Sequence, residues 1–246
     1  MPAPPKKRLD RLLFEQGLVP SRQRARALIL AGKVMVNHHV LDKPGAIVKE
    51  DAEISLKGPD HPYVSRGGQK LEKALQHFNI DPTGMVCLDV GASTGGFSDC
   101  LLQHGAEQVF AVDVGYGQLA WKLRTDPRVV AIERTNIRRM PPDALPVPVD
   151  LVVIDVSFIS LKIVVPSVRQ FMKPKAMILA LIKPQFEVGK GEVGKGGVVR
   201  SPHQHQAVIE ALTLFFKNTG LSCSPVVESP VLGPRGNREF MILLKN

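Results

Sequence analysis

The chain has 246 residues, a formal net charge of +9 and 44% hydrophobic side chains. That is ample apolar material for a packed core, which excludes general disorder, and the length suits one domain of ordinary size with a small companion. No apolar run approaches the roughly 20 residues of a membrane-spanning helix, and the longest, Ala176 to Ile182, reads as a buried strand. Cys87, Cys100 and Cys223 form neither a disulfide framework nor a C-x-x-C ligand set, so they are expected as reduced core thiols of a cytoplasmic protein.

The basic charge is concentrated at the start. Residues 1–40 carry eight Lys and Arg against two acids, a net +6 of the chain's +9, which points to a module for a polyanion. The first eight residues are basic and low in complexity, with no apolar stretch behind them of the kind a secretory signal needs. Leu9, Leu12, Leu13 and Phe14 then mark one face of a short helix stopping at Gly17. Ser21 is placed to cap a second helix that ends at Ala31 before Gly32, with Ala25, Leu28 and Ile29 inward and Arg22 and Arg26 sharing the outer face. Val34, Val36, Val40, Ile47, Ile54 and Leu56 alternate with polar residues around Asn37-His38-His39 and Lys43-Pro44-Gly45, as in small β-hairpins. The string from Arg8-Leu9-Asp10 through Gly17, Ser21-Arg22, Ala25, Ile29 and Gly32-Lys33-Val34 to Val36-Asn37 resembles the S4 RNA-binding domain. That resemblance implies an α+β module docking on folded RNA through phosphate contacts. It makes Arg8, Arg11, Arg22, Arg26 and Lys33 the expected RNA contacts, with Arg66 a further one beyond the module.

A polar linker, Lys57-Gly-Pro-Asp-His-Pro-Tyr-Val64, precedes a strand–helix alternation that predicts a parallel α/β domain. The expected division is residues 1–60 for the first domain, 61–67 for the linker and 68–246 for the second. Expected strands are Val86–Val90, Val109–Val112, Val129–Ile132, Leu151–Ile154 and Met177–Ile182. Expected helices are Phe97–His104, Gln118–Thr125, Ser160–Phe171 and a long last one from Ser201-Pro202 to Thr219. Val226-Val227 and Glu239 to Leu244 read as a closing hairpin across the turn-rich Gly233–Asn237.

The first strand runs into Asp89-Val-Gly91-Ala92-Ser93-Thr-Gly95-Gly96-Phe97. Its glycine spacing fits neither the dinucleotide fingerprint nor the P-loop. The pattern Asp-x-Gly-x-x-x-Gly-Gly resembles motif I of S-adenosylmethionine (SAM) dependent methyltransferases. The resemblance implies a Rossmann-like fold and a cofactor loop built from Asp89, Gly91, Ala92, Ser93, Gly95, Gly96 and Phe97. Asp113, 24 residues beyond Asp89, stands where a carboxylate meets a nucleoside ribose, and Asn136, after the third strand, is a candidate for the adenine edge.

Lys70, Asp155, Lys183 and Glu239 are scattered in sequence but fall at element ends. They resemble the Lys-Asp-Lys-Glu tetrad of FtsJ-type ribose 2′-O-methyltransferases. With Val64-Ser65-Arg66-Gly67, Lys70-Leu71 and Ile182-Lys183-Pro184-Gln185-Phe186-Glu187, the chain resembles the TlyA family of ribosomal RNA 2′-O-methyltransferases nearly end to end. That implies SAM as cofactor and cytidine in 16S or 23S ribosomal RNA, free or in an assembled subunit, as substrate; no metal and no membrane are expected, and the oligomeric state is left open, with a monomer expected. Lys183 is then the expected base for the ribose hydroxyl, Asp155 its orienting partner, and Lys70 and Glu239 the rest of the network. An RNA-binding assembly factor with an inert methyltransferase fold is the alternative. A membrane-active hemolysin, a label the family also carries, lacks a spanning segment, barrel alternation or a cationic amphipathic helix. S4 modules also precede pseudouridine synthases, which have no use for the Gly91–Gly96 loop. The glycine- and lysine-rich stretch 186–198 reads either as a lid over the RNA nucleotide or as a plain connection. His203 and His205, two apart on one helix, point to different faces and are not expected to share a metal.

Overall fold

A computed structural model describes residues 5–56, 61–189, 191–194 and 196–245. Residues 57–60 of the linker, and Lys190 and Lys195 of the glycine- and lysine-rich stretch, lie outside the described residues. The chain divides into two compact units, Met1–Pro62 and Tyr63–Asn246.

The first unit is built from β1 (Lys6–Arg8), α1 (Leu9–Glu15), α2 (Arg22–Leu30), β2 (Val34–Val36), β3 (His39–Val40), β4 (Ile47–Lys49) and β5 (Ile54–Leu56). Ser21 caps α2 by accepting from the Arg24 amide, which satisfies one of the helix's orphan donors. Leu9, Leu12, Leu13, Ala25, Leu28, Ile29, Val34 and Val36 form its core. Asn37 and His38, both at positive φ, turn β2 into β3 as a two-residue hairpin loop. The second expected hairpin does not form. β5 pairs with β2, and β4 pairs instead with β1, inside the basic tract that reads as featureless in sequence. The alternation is also out by one residue: Val48 is buried while Ile47 is exposed, a slip that turns a short strand over.

The second unit begins with α3 (Gly67–Phe78), then β6 (Val86–Val90), α4 (Gly96–Gln103), β7 (Gln108–Val112), α5 (Trp121–Arg124) and β8 (Val129–Ile132). It continues with β9 (Val149–Ile154), α6 (Leu161–Val168), β10 (Met172–Ile182), α7 (Pro202–Asn218), β11 (Ser222–Cys223), β12 (Val227–Glu228) and β13 (Phe240–Lys245). The strands make one sheet in the order β11-β13-β10-β9-β6-β7-β8, with β12 also on β13. β8, β7, β6, β9 and β10 are parallel, and β13 is antiparallel to β10. Side chains alternate between two cores. Leu88, Val90, Phe110, Val152, Ile154, Ile178 and Ile242 pack with α6 and α7. Cys87, Val109, Leu151, Val153, Leu179 and Met241 pack with α3 and α4. The result is the three-layer α/β architecture the strand–helix rhythm predicts.

Two elements differ from expectation. The helix expected over 118–125 shrinks to Trp121–Arg124, because the segment before it bonds to the glycine loop: Ala120 N donates to Thr94 O, and Ser93 Oγ bonds Gln118 Oε1. β10 starts five residues early, at Met172, with a register shift before Met177. Gly68 in α3 is a close approach, since a Cβ there would overlap Cβ and Cγ of the buried Tyr63. Gly68→Ala should therefore destabilise the second unit by about 1–3 kcal/mol, read as a fall of several degrees in its thermal midpoint; an unchanged midpoint would show that Tyr63 repacks freely.

Candidate active site

Between β6 and β9 the sheet reverses its order of growth: α4 leads outward from β6 to β7, and β9 returns to the other side of β6. Open α/β sheets bind ligands at such a point, beyond the carboxyl ends of the strands. The backbone there is tightly drawn. Gly91 has φ +86, and a Cβ on it would stand 2.5 Å from the Asp155 carbonyl oxygen at the tip of β9. Gly95, at φ +96, precedes the first turn of α4. At Gly91 only glycine meets both demands, a positive φ and a backbone oxygen too close for a Cβ, and at Gly95 a Cβ would overlap the Leu119 and Leu123 side chains.

Two cavities of about 290 and 500 Å³ open over this edge and share Gly91, Ser93, Asp155 and Ser157 as a common wall. The smaller holds Lys70, Asp89 and Lys183 with the glycine loop. The larger holds Asp113, Gln118, Asn136 and Phe158. Asp113 Oδ2 accepts from the Ser93 amide at 2.8 Å and Oδ1 from the Gly115 amide at 2.6 Å. The carboxylate thus joins the glycine loop to the β7 tip while facing the cavity. Asn136 lines the cavity too, but its Oδ1 accepts from the Arg138 amide as the cap of a 3-10 turn.

The four scattered candidates converge on the same edge. Lys183 Nζ lies 2.6 Å from Asp155 Oδ1 and donates to Ser157 Oγ at 3.0 Å. Lys70 Nζ donates to Glu239 Oε2 at 2.6 Å, and Glu239 is 1% exposed. Glu239 reaches this edge because β13 runs antiparallel, so its first residues lie level with the last residues of β10: Ile182 pairs with Phe240. Lys70, Asp155 and Lys183 line the smaller cavity, whereas Glu239 stands behind Lys70. Gly233 lets the preceding loop pass Glu239, since a Cβ there would overlap Glu239 Oε1.

Comparison with known proteins bears on this arrangement directly. Residues 63–246 match the FtsJ-like methyltransferase family and residues 7–54 the S4 domain. The 16S/23S rRNA (cytidine-2′-O)-methyltransferase TlyA of Mycobacterium tuberculosis is 46% identical over 97% of this chain and 89% of its own length. The chain belongs to the TlyA family of FtsJ-like methyltransferases. A solved structure named as a hemolysin from Streptococcus thermophilus covers 99% of this TlyA-family chain and 90% of its own, at 43% identity and a TM-score of 0.78. An S-adenosylmethionine dependent methyltransferase from Listeria monocytogenes shares the fold at 16% identity and a TM-score of 0.53, over 74% of this chain and 99% of its own. No helix among the described residues is long and apolar enough to cross a membrane.

For a TlyA-family chain, sequence reasoning missed Ser157, the second partner of Lys183, and Phe158, which is 89% exposed at positive φ and lies 4.8 Å from the Phe186 ring. Both directly follow the tip of β9, which was the available signal. The basic residues proposed for RNA are only partly free. Arg8 and Arg22 both bond the buried Asp10 and hold its carboxyl below the usual carboxylate range, Arg8 most strongly, and Arg11 pairs with Glu15 at 2.6 Å. Arg26, Lys33 and Arg66 are exposed, and Arg66 lines the smaller cavity. His205 is buried, with Nε2 bonded to the Val199 carbonyl oxygen at 2.9 Å. No group of three or more candidate metal ligands occurs among the described residues.

The residues fit a cationic nucleoside cofactor. Asp89 is fully buried in the cavity wall; its Oδ2 accepts from the Ser98 amide and hydroxyl, while Oδ1 has no partner. Burial first, with the Asp155 and Asp113 charges adding, pushes its carboxyl up to about 7 against the pull of the Ser98 bonds. Because the folded value lies above the unfolded one, the stability this group contributes is complete near pH 4 and is lost as pH rises toward 7. Melting curves from pH 4 to 8 should show the wild type losing ground to Asp89→Asn until about pH 7, then running parallel to it. A difference independent of pH would show that Asp89 is ionised throughout.

Proposed function

We propose that this protein is a SAM-dependent methyltransferase that modifies the ribose 2′-hydroxyl of cytidine in ribosomal RNA, working in the cytoplasm on rRNA or ribosomal subunits. The observation that carries the reading is the convergence of Lys70, Asp155 and Lys183 on a cleft walled by the Gly91–Gly96 loop. When bound, the cofactor supplies an electrophilic methyl group on a sulfonium. Asp113 and Asn136 form the lobe suited to its nucleoside, with Asp113 taking the ribose and Asn136 bordering the base. Asp89, Gly91, Ala92, Ser93, Gly95, Gly96 and Phe97 form the loop beside its amino-acid end. There the free Oδ1 of Asp89 answers a positive charge.

With its amine unprotonated, Lys183 is placed to take the proton of the ribose hydroxyl; that oxygen receives the methyl group of the bound cofactor, and the electron pair of the broken C–S bond stays with the sulfur. Asp155 and Ser157 aim its amine, and Glu239 aims Lys70. A ribose hydroxyl is a weak acid at neutral pH, so a positioned base and close approach to the methyl supply most of the acceleration. The acceptor approaches from the far flank of Lys183. Ser157 and Lys183 also line a third cavity with Phe158, Gln185 and Phe186. Its aromatic faces suit a nucleobase removed from its stack. The basic S4 unit adds affinity for phosphates without reading sequence, with Arg26 and Lys33 exposed on it; Arg8, Arg11 and Arg22 combine contact with pairing to Asp10 and Glu15. Arg66, in the second unit, adds a cation to the wall of the cleft.

The reading is tested with purified protein, rRNA or ribosomal subunits, and methyl-labelled SAM. Lys183→Ala should lower transfer by about 100- to 10,000-fold and leave the cofactor dissociation constant within a few-fold. Near-normal turnover would remove Lys183 from the chemistry, and wild-type protein that binds cofactor but leaves all ribose hydroxyls unmodified would mark an inert fold.

A further inference from the structure

One carboxylate near the site has no place in the proposed chemistry. Glu187 follows the tight turn Pro184–Phe186 that begins at Lys183, and the turn is held by Phe186 N donating to Lys183 O and Glu187 N to Pro184 O. Its side chain crosses to the other loop. Oε1 accepts from the Leu161 amide at 2.8 Å and Oε2 from Ser160 Oγ at 2.6 Å. Ser160 and Leu161 start α6 and end the loop that carries Asp155 and Ser157, the two groups that hold Lys183 Nζ. Between these ties, the Phe158 and Phe186 rings meet at 4.8 Å. The β9 and β10 loops are therefore joined at three points, with the amine at one end and Glu187 at the other.

We propose that Glu187 is a positioning residue for Lys183: by fastening the β10 turn to the start of α6, it fixes the distance between the Lys183 amine and the Asp155–Ser157 pair. This rests on the assignment of Lys183 as the base. A simpler role would be to cap α6, whose first amide groups need acceptors like those of any helix; Ser160 already serves the Lys162 amide. The two roles differ in what they predict. A cap acts on stability alone. A positioning residue acts on turnover, because a displacement of about 1 Å at a reacting group reduces rate by up to about 100-fold.

The test measures kcat, KM for RNA, the cofactor dissociation constant and the melting temperature on the full-length protein. Glu187→Ala should lower kcat about 10- to 100-fold, with KM and cofactor affinity within two-fold of wild type. Glu187→Gln keeps one acceptor oxygen and should fall between the two; it carries the test should the alanine variant fold poorly. The decisive variant is Ser160→Asp with Glu187→Ala, which returns a carboxylate cap to α6 without the cross-loop tie. It should regain melting temperature and not kcat. Recovery of kcat together with melting temperature, or an unimpaired Glu187→Ala, would reduce Glu187 to a cap and overturn the inference while leaving the methyltransferase reading intact. A wild-type protein that transfers no methyl group would overturn both.

Discussion

The direction of a single strand decides what the active edge contains. Five parallel strands deliver their carboxyl ends to one edge, which accounts for Asp89, Asp113, Asp155 and Lys183. Glu239 could not join them from a parallel strand, because the residue before such a strand lies at the opposite edge. Only because β13 runs antiparallel beside β10 does its leading residue come level with Lys183. β13 is buried along nearly all its length, through Phe240, Met241, Ile242, Leu243 and Leu244. The same strand therefore completes both cores and carries a carboxylate to Lys70.

The chemistry of that edge is one of paired charges withdrawn from water. Lys70 with Glu239, and Lys183 with Asp155, sit where desolvation works against each isolated ion. Such pairs add little net stability, yet removing one partner leaves the other buried and uncompensated. Asp89 is the contrasting case, a carboxyl with no cation at its side, which burial keeps protonated to unusually high pH. The edge thus holds one buried carboxyl with no cation beside it and two amines each set against a carboxylate.

Much of this was legible in the sequence, for definable reasons. The parallel strands read directly because residues buried on both faces form continuous apolar runs such as Val86–Val90 and Leu151–Ile154. Helix starts at Ser21, Ser160 and Ser201 were legible because a capping hydroxyl is a local signal, and all three accept from an amide within the first turn. What escaped was non-local. The pairing of Lys6–Arg8 with Ile47–Lys49 joins residues some forty apart through a backbone ladder with no side-chain signature. The loss of most of the helix over 118–125 follows from bonds to the glycine loop. Ser157 and Phe158 carry no motif, and only their place beyond β9 gives them meaning. The positive charge of the first unit was legible as a sum but not in its use, because burial of Asp10 draws Arg8 and Arg22 into an internal cluster.

The position of Lys183 between cavities shows why its neighbours had to be found in space. Lys183 and Ser157 border both the cavity that holds Lys70 and Asp89 and the one lined by Phe158, Gln185 and Phe186. On the proposed reaction, a base serving a hydroxyl in one cavity and a methyl donor in the other stands on the partition, within reach of the attacking oxygen and clear of its path. Two loops from adjacent strands, β9 and β10, supply such a partition when fastened to each other, and neither supplies it alone. The run Lys183-Pro184-Gln185-Phe186-Glu187 is legible on this view as one device. Lysine presents the amine, proline starts the turn, phenylalanine meets Phe158, and glutamate closes the far end on α6.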